Sequence, residues 1–177
     1  MSDLPAGVSF RDYSVGDRSA CLAVFDSIVP KYFHQDERPE FEAFIDSFEG
    51  AYFVLETGGS IAGCGGYASG EAGGLADLCW GMIASIHHGK GLGEMLLLAR
   101  LQAGATRTPV DGVCLATSQH TDSFFRRYDF STRSRETDGF ASGLDKVEMR
   151  LDLSAAVRKQ IVESWKASRD QNHPRRR

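Results

Sequence analysis

Apolar residues recur along this chain with a period near two in some stretches and near 3.6 in others, and the succession of the two rhythms predicts the order of elements. Residues 8–12 read as a short first strand. Ser14 and Asp17 then stand at the spacing of a capping box, ahead of Cys21, Leu22, Phe25, Ile28 and Val29 at helical spacing, and Pro30 ends that helix. A second helix carries Pro39 near its first turn and places Phe41, Phe44, Ile45 and Phe48 at i, i+3, i+4 and i+7, so its rings face a core. Residues 51–56 and 61–68 are strand-like, and Thr57-Gly58-Gly59-Ser60 between them reads as a hairpin turn.

Residues 69–74 return the chain to a further strand, 75–83, which feeds a glycine loop and then a helix with Leu92, Met95, Leu96 and Ala99 as its buried stripe. Another strand-like run covers 112–117. Val147, Met149 and Leu151 alternate with Lys146, Glu148 and Arg150, as in a half-exposed strand, and Val157, Ile161, Ser164 and Trp165 form a terminal amphipathic helix. The predicted sum is strand, two helices, three antiparallel strands, helix, strand, helix, one or two last strands and an extra C-terminal helix. That makes the fold class α/β in the α+β sense.

A length of 177 residues suits one domain with a proper core, and 42% hydrophobic with 25% charged residues is ordinary for a folded globule. No apolar run approaches the roughly 20 residues that span a bilayer, and the first residues lack the basic end and apolar centre of a signal peptide, so a cytoplasmic protein with no membrane partner is expected. Cys21, Cys64, Cys79 and Cys114 form no C-x-x-C pair, which disfavours a zinc site or a disulfide framework and leaves them as reduced core residues; no metal is expected. The net charge of −4 includes Arg175, Arg176 and Arg177, so the body is more acidic than the total and nucleic acid is disfavoured as a partner. The basic end reads as a solvated tail.

Residues 87–98, His-His-Gly-Lys-Gly-Leu-Gly-Glu-Met-Leu-Leu-Leu, carry the strongest chemical signal. Gly89, Gly91 and Gly93 let the backbone turn and approach a ligand, and the first N–H groups of the following helix point, with the positive end of its dipole, at an anion. Spacing selects the anion. A Walker loop needs Ser or Thr after its Lys, but Gly91 follows Lys90, and the dinucleotide fingerprint needs Gly where Glu94 stands. The pattern Arg/Gln-x-x-Gly-x-Gly/Ala fits, with His88, Gly91 and Gly93 in its fixed places. Downstream, Ser118 to Phe130 is similar to Asn-x-x-Ala-x-x-Phe-Tyr-x-x-x-Gly-Phe, departing from it at Ser118, Thr121, Phe125 and Asp129.

With both elements in order, the chain resembles the GCN5-related N-acetyltransferase (GNAT) superfamily over roughly residues 8–152. The resemblance implies an acetyltransferase domain over 1–152, followed by a C-terminal helix and basic tail at 153–177. It implies a mixed, mostly antiparallel sheet splayed between the strands ending near Ile83 and Thr117, flanked by helices, with the pantetheine arm of acetyl-coenzyme A (acetyl-CoA) in the splay. The terminal helix, outside the family's common core, reads as a lid or dimer contact, the latter implying a homodimer.

For the cofactor, the resemblance assigns backbone groups of Met82 and Ile83 to the pantetheine and carbonyl, and His88, Gly89, Lys90, Gly91, Leu92 and Gly93 to the pyrophosphate, with Ser118 and Phe125 beside the arm. Asp77 falls near the place where some members carry a general-base Glu, sharing strand parity with Cys79, Gly81 and Ile83; Glu56 and His120 are the other candidates. Phe125 replaces the family's tyrosine at the leaving sulfur, which leaves Ser118 or Tyr128 as proton donors. The connection over residues 31–40 mixes aromatics with carboxylates, and Tyr32, Phe33 and Glu37 suit a cationic amine with an apolar part. The implied activity is direct acetyl transfer to a small primary amine in a ternary complex. Alternatives are a non-catalytic acetyl-CoA sensor, or a peptide or protein N-acetyltransferase.

Overall fold

The strand-like segments, with one strand that the sequence pattern does not mark, assemble into one seven-stranded sheet. A computed structural model describes residues 7–69, 74–107 and 110–172; the predicted Arg175–Arg177 tail and the centre of the 69–74 turn lie outside the described residues. In chain order the elements are β1 (Val8–Asp12), α1 (Arg18–Asp26), α2 (Arg38–Ser47), β2 (Ala51–Thr57), β3 (Ser60–Ser69), β4 (Leu75–Ile83), α3 (Leu92–Arg107), β5 (Gly112–Thr117), α4 (Asp122–Arg126), β6 (Ser131–Ala141), β7 (Leu144–Asp152) and α5 (Ala155–Asn172). The strands lie in the order β1-β2-β3-β4-β5-β7-β6, with β4–β5 the parallel pair.

The helical stripes cover both faces. α1 and α2 bury Cys21, Leu22, Phe25, Phe41 and Ile45 against Tyr52, Val54, Cys64 and Met82. On the other face Leu97 and Leu101 of α3 and Ile161 of α5 pack on Phe53, Tyr67, Leu78, Val113, Leu115, Val147 and Met149. The capping box forms: the Ser14 N–H donates to Asp17 at 2.8 Å, although it closes a 3-10 turn that precedes α1. Asp17 also accepts both guanidinium ends of Arg11, at 2.7 and 2.8 Å, which holds its carboxyl well below the usual carboxylate range.

Two last strands are present. β6 is an edge strand exposed along most of its length, so it carries no apolar alternation and is silent in the sequence pattern. The terminal helix is packed on the body of the domain: Ile161 is in the core, Trp165 meets Phe10 edge-on at 5.8 Å, and α5 packs along α3.

Two irregularities shape the sheet. β4 and β5 pair only from Leu75↔Gly112 to Asp77↔Cys114, after which β4 stays with β3 while β5 runs fully paired with β7 to Thr117↔Val147. The expected splay is therefore present. In addition, Cys64↔Met82 and Gly66↔Cys79 leave one extra residue on β4, a bulge at Trp80 and Gly81 with Trp80 in the left-handed region at φ 43°. That conformation costs a non-glycine residue on the order of 1–3 kcal/mol. It is held by packing: the Trp80 ring stacks on Phe33 at 5.6 Å and meets Phe41 at 5.1 Å, and the Tyr52 hydroxyl donates to the Trp80 carbonyl at 3.1 Å.

The bulge overturns the simple parity expected for β4. Cys79 and Met82 face α1 and α2, whereas Gly81 and Ile83 turn toward α3, so Asp77 does not share a face with Gly81 or Ile83.

α3 docks on β3 where Gly104 meets the Tyr67 ring so closely that a Cβ would overlap it. Alanine at a helical glycine normally gains about 1 kcal/mol. Gly104→Ala is instead expected to cost about 1–3 kcal/mol from overpacking, read by urea unfolding. Tyr67→Phe should be at least as stable as the parent in the same assay, because the buried Tyr67 hydroxyl has no hydrogen-bond partner among the described residues.

Candidate active site

The glycine loop has the backbone conformation that an anion seat requires. After β4 the chain makes a 3-10 turn at Ser85–His87, and Gly89 and Gly91 then adopt φ 73° and 77°, the left-handed region that glycine enters without penalty. α3 begins at Leu92, and the Met95 N–H already donates to the Gly91 carbonyl, leaving the N–H groups ahead of it without helical partners. Gly93 is different: its φ is ordinary and a Cβ would sit 3.8 Å from the Phe124 ring, so alanine fits there.

His88 departs from its expected role. Its backbone N–H is taken by the Ser85 carbonyl at 3.2 Å and its Nε2–H donates to the Ile83 carbonyl at 2.7 Å, with the ring edge-on to Tyr32 at 5.2 Å. The imidazole thus ties the loop to the end of β4 rather than facing the anion seat. Lys90 is exposed and does not line the cavity described next.

A cavity of about 1130 Å³ runs from this loop through the β4–β5 splay. One wall is the β4 stretch from Leu78 to Ile83 and the other is Leu115, Ala116, Thr117 and Ser118; beyond the last β4–β5 pair these facing edges share no ladder, which leaves backbone donors and acceptors for a ligand. Leu96 and Arg100 of α3 border it from one side. Toward α1 and α2 it reaches Ile28, Tyr32, Phe33 and Trp80 with the carboxylates Glu37 and Glu40. Glu37 is oriented by the His34 N–H at 2.7 Å, and burial raises its pKa.

Of the predicted residues, Met82, Ile83, His88, Gly89, Gly91, Leu92, Gly93, Ser118, Phe125, Tyr128, Tyr32, Phe33 and Glu37 meet at this cavity. Asp77 does not. It is largely exposed, paired between Ala68 and Cys114 before the strands part, although its neighbours desolvate the carboxyl enough to raise its pKa. Glu56 is committed to Arg11 at 2.7 Å on the β1–β2 side, and His120 is exposed outside the lining.

Ser118 is buried at the end of β5, where its hydroxyl accepts the His120 N–H at 3.4 Å. Phe125 meets Phe130 edge-on at 5.7 Å and presents no proton. Tyr128 packs on Phe124 at 5.2 Å, and burial, with the nearby Glu94 carboxylate, pushes its phenol up to about 12. It therefore stays protonated at neutral pH, at the end of the cavity where α3 begins.

Trp80 and Arg100 are among the lining residues that the sequence reading did not assign to the site. Trp80 is hidden because a bulge has no signature in an apolar run. Arg100 left a trace: it stands four residues after Leu96 on the apolar stripe of α3, and it is 4% exposed. Among the described residues no cluster of His, Cys, Asp and Glu could hold a metal ion, and no helix is long and apolar enough to cross a membrane.

A family model described as an acetyltransferase (GNAT) domain matches residues 23–153. No curated protein matches the sequence. Solved structures share the fold at low identity. The Escherichia coli ribosomal-protein-S18-alanine N-acetyltransferase is 15% identical with a TM-score of 0.69, over 83% of this chain and 94% of that one. The Salmonella typhimurium protein yncA, solved with its cofactor acetyl-CoA, is 16% identical with a TM-score of 0.64, over 84% and 95%. A spermidine N-acetyltransferase of Vibrio cholerae is 16% identical with a TM-score of 0.63, over 82% and 93%.

Acetyl-CoA is expected to raise the melting temperature while ATP and NAD do so far less, since a ligand that binds only the folded state stabilises it by mass action. Gly91→Asp should abolish the shift, because a carboxylate would stand at the anion seat on a strained backbone; an unchanged shift would show that the loop does not hold the phosphates.

Proposed function

The chain belongs to the GNAT acetyltransferase family, which uses acetyl-CoA, and from that premise we propose that it transfers the acetyl group to a small primary amine by direct attack in a ternary complex. One observation carries the reading. A single cavity joins the anion-binding loop, through the parted edges of β4 and β5, to an aromatic and acidic end formed by Tyr32, Phe33, Trp80, Glu37 and Glu40. Carboxylates attract an ammonium group, and aromatic faces favour a cation by up to about 2 kcal/mol when it is desolvated.

Transfer needs the amine uncharged. Asp77 stands outside the cavity, so we assign the base to Glu37, acting directly or through a water: burial raises its carboxyl pKa, which makes the carboxylate a stronger base. The amine nitrogen attacks the thioester carbon, the C–N bond forms, the C–S bond breaks with its electron pair on sulfur, and the nitrogen's proton goes to Glu37. The oxyanion is met by backbone donors of the β4 edge near Met82. A thiol pKa of about 8.5 makes the thiolate a tolerable leaving group, so Phe125 in place of the family's tyrosine does not forbid turnover. Ser118 is the hydroxyl assigned to that end, and Tyr128 is assigned to the phosphate end.

Phe125 is also what favours the second reading, an acetyl-CoA sensor without turnover. Release of free thiol across a panel of primary amines separates the two: binding without release in every case supports the sensor.

Glu37→Gln is expected to lower kcat/KM by about 10²-fold and to remove the acidic limb of the pH profile. The sign follows from the raised carboxyl pKa: activity falls as pH drops through that value, because a protonated Glu37 accepts nothing. A larger loss in Asp77→Asn than in Glu37→Gln would return the base to Asp77. Tyr128→Phe should weaken acetyl-CoA affinity more than it lowers kcat; the reverse would make Tyr128 the acid.

A further inference from the structure

Arg100 is a buried cation with no counter-charge among the described residues. It is 4% exposed, on the helix face otherwise occupied by Leu92, Leu96 and Leu97, and its Nε donates to the Leu96 carbonyl at 3.2 Å. Its two terminal nitrogens, with four N–H donors, lie beneath the β4 bulge in space that Gly65 and Gly81 leave free: a Cβ on Gly81 would come within 2.6 Å of both, and one on Gly65 within 3.1 Å of Nη1. No carboxylate among the described residues reaches it. The titratable groups around it are Tyr52, Cys64 and Cys79. Burial pushes the Cys79 thiol up to about 11 and holds the Tyr52 phenol well above its ordinary value, so neither supplies a negative charge near pH 7. The guanidinium itself, lowered to about 10, remains charged there.

An unpaired buried charge costs several kcal/mol, and a leucine at this position would avoid the cost. The residue makes physical sense if the counter-charge arrives with a ligand. Arg100 lines the same cavity as the glycine loop, but its backbone stands nine residues along the chain from Gly91, and its terminal nitrogens lie under Gly65 and Gly81 of the sheet rather than among the loop N–H groups. A planar fork of donors matches a carboxylate.

We propose that Arg100 is a carboxylate receptor in the middle stretch of the cavity, so that this enzyme handles a carboxylate-bearing substrate. The proposal rests on the acyl-transfer reading above and narrows its substrate class. The carboxylate has two sources: an acceptor of the amino-acid type, or a dicarboxylic acyl group such as succinyl carried on the thioester.

Binding measurements separate the sources without depending on turnover. Affinities of the coenzyme A-loaded protein are compared for phenylalanine against phenethylamine and for alanine against ethylamine; those of the free protein are compared for succinyl-CoA against acetyl-CoA. In one of the two series the carboxylate-bearing member should bind about 10- to 100-fold more tightly, the range expected for hydrogen bonds to charged groups. A preference among the amines assigns the acceptor, and one among the thioesters assigns the acyl group. Arg100→Gln should bring the ratio close to one, and Arg100→Lys should keep part of it. Equal affinities in every pair, or a preference that survives Arg100→Gln, overturns the proposal; if Arg100→Gln fails to fold, the parent ratios alone decide. A protein that shows the preference yet acetylates no amine overturns the small-amine transfer reading and leaves the Arg100 receptor standing.

Discussion

Everything at the site depends on β4 and β5 parting after three paired positions. Two strands that remained hydrogen-bonded would seal the sheet, and no ligand could reach between them. The parting is enforced from both sides: β5 finds a complete partner in β7, and β4 is bent by an extra residue at Trp80 and Gly81. The cost of the left-handed Trp80 is carried by aromatic packing, since its ring is wedged among Phe25, Phe33, Phe41 and Phe44. The α1–α2 layer therefore does more than cover a sheet face. It holds the bulge in the shape the cleft needs, and Phe33 and Trp80 of that cluster line the cavity itself.

Charge is distributed along that cleft in an order that suits acyl transfer. The dipole of α3 and its free N–H groups favour anions at one end, while Glu37 and Glu40 favour a cation at the other. Between them the lining is mostly apolar side chains and strand backbone, a low-dielectric stretch in which backbone donors act strongly on developing charge. Arg100 interrupts that apolar middle. Beneath two glycines, and with no carboxylate of the described residues against it, its guanidinium puts a positive charge in the middle of the cleft.

Much of the architecture was legible in the chain. Val8–Asp12, Leu75–Ile83 and Gly112–Thr117 coincide with the strand runs, and Phe41 and Ile45 are buried as their spacing requires. The glycine loop could be read because its chemistry is backbone chemistry: Gly89 and Gly91 are local requirements of a turn. β6 could not be read, because an edge strand exposed on both faces has no apolar alternation. Asp77 was misplaced by counting in twos along β4, a count that fails at the bulge, and His88 was aimed at the anion although it caps the Ile83 carbonyl.

The sequence by itself determined the periodicities, the loop that turns into α3 and the resemblance that names the superfamily, because each depends on neighbours a few residues apart. Tertiary structure alone decided which carboxylates share the cleft with the loop, that the Cys21 thiol of α1 lies against Cys64 of β3, and that Arg100 ends beneath Gly65 and Gly81. Those outcomes depend on pairs distant in sequence, where the register of one strand against the next, and one extra residue in β4, choose which side chains meet.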